Sequence, residues 1–185
     1  MRYSVSQLLL VVAALFFLLS CRRASSIDRE IENFYSTLVT LPLDSMVCVK
    51  AVKGVSAHLK TDYTYVIYTD STSCSDCTIS HLTDWSRLCV NQQITPNRLS
   101  YVFIISPKRN QYASVLKHVV VLSDLGESVY IDTSGVFERR NPNIPSNKLL
   151  HTFLLDSDGN VMLIGNPINN LQIRSMLSQI LSDSR

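Results

Sequence analysis

Glycine is scarce in this chain, with five residues in 185. They form no glycine-rich loop able to cradle a phosphate, and no Gly-x-Ser-x-Gly nucleophile elbow occurs, so phosphate-loop and serine-hydrolase chemistries have no support. Charge is sparse as well: 17% of residues are charged, with 17 Lys and Arg against 15 Asp and Glu. The basic residues are scattered, which removes the electrostatic footprint of a nucleic-acid binder and any expectation of such a partner. Internal repeats and low-complexity tracts are absent too. A 46% hydrophobic composition takes their place, enough for one globular domain with a sizeable core and too much for a disordered chain.

No apolar run is long enough for a permanent transmembrane helix. The twelve residues "LLLVVAALFFLL" (Leu8 to Leu19) would reach about 18 Å as a helix, against roughly 30 Å of hydrocarbon. After one early Arg2, this run reads as the h-region of a signal peptide. Its end, Leu18-Leu19-Ser20-Cys21, resembles the bacterial lipobox, in which the cysteine is diacylated and becomes the new N-terminus. Residues 1–20 are therefore expected to be a lipoprotein signal peptide, 21–26 the lipidated Cys21 and a polar tether, and 27–185 the folded domain. Acyl chains at Cys21 would hold the domain on a membrane of the cell envelope, facing the periplasm, with the leaflet left open.

An exported protein meets an oxidising compartment, where thiols pair or do chemistry. Beyond Cys21 the chain has Cys48, Cys74, Cys77 and Cys89. Cys48 in "SMVCVKAV" and Cys89 in "WSRLCVN" have apolar neighbours and are expected as small buried hydrophobes, although the even count also permits them to pair.

Periodicity supplies the architecture. Ile27, Ile31, Phe34, Tyr35 and Leu38 recur at helical spacing up to "LPLD", and "MVCVKAV" reads as a short strand. "YTYVIYT" (Tyr63 to Thr69) and "YVFIIS" (Tyr101 to Ser106) are apolar runs without alternation, as expected of strands buried on both faces. Ile79, Leu82, Trp85 and Cys89 predict a helix from Thr78 to Val90, and Tyr112, Val115, Leu116, Val119 and Val120 another. "SVYID" reads as a strand, and Val136 to Arg139 as a short helical turn within a polar loop. "HTFLLDSDGNVMLIG" reads as a hairpin turning at Asp158-Gly159, and Ile173, Met176, Leu177, Ile180 and Leu181 as a final helix capped by Asn169 or Asn170. The expected fold is α/β: a central mixed sheet flanked by helices, with a C-terminal hairpin and helix.

Cys74 and Cys77 lie at the C-terminal end of the first buried strand, where such folds place ligand and catalytic groups. At a helix start, unpaired N–H groups and the helix dipole favour a thiolate, which makes Cys74 the natural nucleophile and Cys77, one turn on, its disulfide partner. Asp76 beside them opposes ionisation of both sulfurs. His81 falls on the face of Cys77 but is expected to be structural, beside Trp85.

Strand, Cys-x-x-Cys, helix, strand, helix, "YID", a loop and "HTFLLDSDGNVMLIGNP" together resemble the thioredoxin fold, specifically its TlpA/redoxin-like exported branch and the thioredoxin-like lipoproteins of Bacteroidetes. The resemblance runs from about Tyr63 to the C-terminus. It implies thiol-disulfide oxidoreductase activity without a cofactor, a protein or small-molecule disulfide as substrate, and a membrane-bound electron donor. Three features depart from the family pattern. Ser75 and Asp76 replace Gly-Pro, with Ser73 where a Trp often stands. Tyr68 takes the place of a buried acid, and His151 that of the cis-proline facing the cysteines, with Pro145 six residues too early. His151 then has three readings: a satisfied filler of the proline's space, a metal ligand with Cys74 and Cys77 in a Cys₂His set suited to zinc or copper, or a base or cation toward Cys74. The pair correspondingly reads as redox-active, as part of a metal-handling site, or as a structural disulfide in a non-enzymatic lipoprotein.

Overall fold

Two long apolar strands build the centre of the sheet. In the computed structural model, which describes residues 26–50, 61–73, 84–85, 98–121 and 128–183, β2 (Tyr63–Thr69) and β3 (Leu99–Ile105) pair in parallel from Tyr63 opposite Leu99 to Thr69 opposite Ile105. β4 (Ser128–Ile131) continues the parallel set beside β3, and β1 (Val47–Lys50) closes that side antiparallel to β4. On the other side β5 (Thr152–Asp156) runs antiparallel to β2, and β6 (Val161–Ile164) antiparallel to β5. The strand order β1-β4-β3-β2-β5-β6 is the mixed sheet with a terminal hairpin expected from the sequence.

The missing alternation in β2 and β3 has a direct cause, because the sheet has a core on each face. Tyr65, Ile67, Tyr101, Phe103 and Ile105 pack with Trp85, with Val115 and Val119 of α2 (Tyr112–Val121), and with Leu177 and Leu181 of α4 (Leu171–Asp183). Val66, Tyr68, Val102 and Ile104 pack with Phe34 of α1 (Ser26–Tyr35), Phe137 of α3 (Val136–Arg140) and Phe153 of β5. Apolar partners on both sides make every position worth burying, so a period of two has nothing to mark.

Departures from the sequence reading fall at the margins. Helix α1 stops at Tyr35, and Leu38 lies beyond it, exposed and bridged to Asn160. Val120 and Met176, expected in core stripes, are largely exposed, since only the centre of each amphipathic face meets the sheet. Cys48 is also exposed, contrary to its expectation as a buried hydrophobe: β1 is a four-residue edge strand with one neighbour. Its pairing with Cys89 falls outside the described residues. The hairpin turn does rest on Gly159, with φ +91° and Val39 O only 2.5 Å from where a Cβ would stand. Asn170 is the cap of α4, its Oδ1 accepting from Gln172 N and Ile173 N. None of the described helices is long and apolar enough to cross a membrane.

Candidate functional site

The C-terminal end of β2 is shaped by its first polar residue. Asp70 is buried, and its Oδ1 accepts from Thr72 N at 2.9 Å, Thr72 Oγ1 at 2.9 Å and Ser73 Oγ at 2.8 Å. "DSTS" is thus an Asx-type turn, and Ser73 N closes it onto Asp70 O. Burial works against the Asp70 carboxylate. Hydrogen bonds from Ser73 and Thr72, with Lys148 Nζ at 3.6 Å, outweigh that and hold the carboxyl below its usual range. The turn delivers the chain to Cys74.

Beside the last residues of β2 stands His151, just before β5. A 3-10 turn over Lys148–Leu150, capped by Asn147 Oδ1, ends in the His151 N–H donating to Lys148 O, and the His151 carbonyl accepts from Tyr68 N at 2.9 Å. The residue is thereby locked to the edge of β2, with only 4% of its surface exposed. Its Nε2 lies 2.8 Å from Pro145 O, which can only accept, so Nε2 carries the proton. Nδ1 is buried without a hydrogen-bond partner. The expected satisfied ring is therefore satisfied at one nitrogen, and Pro145, too early to replace the family's proline, supplies the carbonyl that orients the imidazole. The described residues contain no cis peptide bond.

Tyr68 lies beside this ring, with centroids 5.0 Å apart. Its hydroxyl donates to Glu138 Oε1 at 2.8 Å. Burial first, and then that hydrogen bond, push the phenol well above its ordinary value. Tyr68 keeps its proton and does not replace a titrating acid.

A cleft of about 260 Å³ opens at this point, lined by Ser73, Asp84, Trp85, Lys148, His151 and Ile168 among others. Trp85 floors it, packed against the rings of Tyr65, Tyr101 and Phe103 at 5.9 to 6.1 Å. Of the residues singled out from sequence, the structure brings Tyr68 and His151 together. Cys74, Asp76, Cys77, His81 and Cys21 lie outside the described residues. Among the described residues no three His, Cys, Asp or Glu side chains form a cluster able to hold a metal ion.

Sequence reasoning missed Asp70, Lys148 and Glu138. The Asx-turn signature in "DSTS" could have found Asp70. Glu138 meets Tyr68 across seventy residues of chain, a contact that leaves no local trace.

No model of a known protein family matches the chain, and no curated protein does. Among solved structures, the chain is similar to a thiol-disulfide isomerase from Corynebacterium glutamicum at 15% identity and a TM-score of 0.51, covering 80% of this chain and 99% of that one. An uncharacterized thioredoxin-like protein from Porphyromonas gingivalis gives 15% identity and a TM-score of 0.50, covering 80% and 96%. A candidate thiol-disulfide oxidoreductase from Bacteroides vulgatus gives 16% and 0.50, covering 77% and 90%. With its mixed six-stranded sheet, helices on both faces and C-terminal hairpin and helix, this chain has the thioredoxin-like fold.

Proposed function

We propose that this protein is a thiol-disulfide oxidoreductase tethered by lipid at Cys21 to an envelope membrane and facing the periplasm. The observation that carries the reading is the cleft at the end of β2, one wall of which is Ser73, the residue joined directly to Cys74. A similar isomerase and a candidate oxidoreductase among the solved structures support it.

The Cys74 thiolate attacks a substrate disulfide, forming a mixed disulfide and expelling one substrate thiolate. Cys77 then attacks the Cys74 sulfur, releasing the second substrate thiol and leaving a Cys74–Cys77 disulfide. Two electrons pass from the dithiol to the substrate. A membrane-bound electron donor must restore the dithiol, because the compartment is kept oxidising. Protein disulfides are the substrate class, and no cofactor takes part.

The test is reduction of insulin disulfides by the full-length protein in detergent with a chemical reductant. Activity lost in Cys74→Ser and altered in Cys77→Ser is the expected result. Equal activity in Cys74→Ser and wild type would sink the reading. Lipidation is checked separately, by palmitate labelling that Cys21→Ser abolishes.

A further inference from the structure

We propose that the end of the domain carrying the cleft rests on the surface of the anchoring bilayer, with Leu149 and Leu171 seated at the lipid interface. The inference deepens the reading above and rests on its lipid anchor alone.

The topology decides which elements reach that end. Thr69 closes β2 beside the cleft, whereas Tyr63, at the start of the strand, pairs with Asp156 at the hairpin. Helix α1 runs from the first of these ends to the second. In its first half Glu30 Oε1 accepts from Ser146 Oγ at 2.6 Å, in the loop that shares a pocket with Asp70 and His151. Just past its other end, Leu38 bridges to Asn160 in the hairpin. Ser26, where α1 begins, is therefore at the cleft end. Cys21 lies outside the described residues, but the five residues of chain back to it from Ser26 reach at most about 18 Å. Acyl chains on Cys21 would keep this end at the bilayer.

The surface presented there is apolar. Leu149 and Leu171 are 79% and 77% exposed, the highest values of any large apolar side chain among the described residues. Both stand at the rim of the cleft: Leu149 lies between its lining residues Lys148 and His151, and Leu171 two positions after Asn169, another lining residue. From Leu171, α4 runs to the opposite end, where Leu181 O accepts from Arg98 beside the start of β3. Ile27, in the first turn of α1, is exposed at the cleft end as well. Single exposed apolar residues are ordinary, but a group of them at the end that an anchor brings to a membrane fits an interface into which apolar side chains sink. The cleft then opens at the membrane surface, and the disulfides it serves lie close to the bilayer.

The experiment places the full-length acylated protein in phosphatidylethanolamine and phosphatidylglycerol vesicles and reads the quenching of tryptophan fluorescence by doxyl-labelled lipid. It compares wild type, whose one tryptophan is Trp85, with Leu149→Trp, Leu171→Trp and, at the opposite end, Leu38→Trp. All three are exposed sites, where a substitution changes stability little. At the two rim positions the added tryptophan should lose about half its emission, as expected of a ring at the headgroup boundary, and at Leu38→Trp none. Equal quenching at all three positions, or quenching at Leu38→Trp alone, overturns the proposal. So does rim emission that ignores vesicles and changes with protein concentration, which would assign this end to a second copy of the chain. Palmitate labelling keeps the two readings apart. Labelled protein without rim quenching contradicts this proposal and leaves the anchor standing, whereas protein that takes up no palmitate loses both.

Discussion

The two ends of β5 treat their polar groups in opposite ways. At the far end, Asp156 uses both carboxylate oxygens within the hairpin, Oδ1 accepting from Asp158 N and Asn160 N and Oδ2 from Asn160 Nδ2. At the near end, five residues earlier, His151 is more deeply buried and leaves a ring nitrogen unpaired. An unsatisfied buried group costs about 1–3 kcal/mol. The far end closes the fold. The near end, beside the cleft that Ser73 and His151 line, leaves a buried ring nitrogen without a hydrogen bond.

Breaking the strand between the two ends should have the largest effect. Phe153 is fully buried and meets Phe34 edge to face at 4.9 Å, so Phe153→Ala should lower stability by about 3–5 kcal/mol in urea denaturation and carry both ends with it. Next, Cys74→Ser should cut disulfide reduction at least about a hundredfold, near 2.7 kcal/mol of barrier, while leaving the unfolding midpoint in place. The sharper contrast comes from the two turn aspartates. Asp70→Ala and Asp156→Ala should each cost about 1–3 kcal/mol, but only Asp70→Ala, which frees Ser73, should slow reduction. The smallest effect is in acid. Both carboxyls are held below their ordinary value, by hydrogen bonds that outweigh the opposing effect of burial. Their stabilisation is therefore complete above the unfolded value, about pH 3.9, and is lost as pH falls through the lower folded values. In either alanine variant the decline in unfolding free energy below pH 4 should be shallower than in wild type.

The same contrast explains what the sequence could disclose. "YTYVIYT" named β2 residue for residue, because a strand with a core on each face is written as an uninterrupted apolar run. "DSDGN" named the hairpin because Gly159 is the one residue type that its φ and the approach of Val39 O allow. His151 was singled out as the residue in a proline's place, yet its environment was not legible. The Pro145 carbonyl, the Tyr68 backbone and the partnerless Nδ1 are products of a loop folding back, with no periodicity to announce it. Leu38 and Cys48 misled for the complementary reason: apolar sequence context shows that burial would be favourable, and only the sheet's edges show where it stops.

A redox titration of the Cys74/Cys77 pair against glutathione or dithiothreitol buffers, followed by mass spectrometry of alkylated thiols, tests the central claim most directly. The account predicts a single two-electron transition between about −120 and −270 mV, the span of working dithiol oxidoreductases. A pair that stays oxidised below about −300 mV would be a structural disulfide and would contradict it.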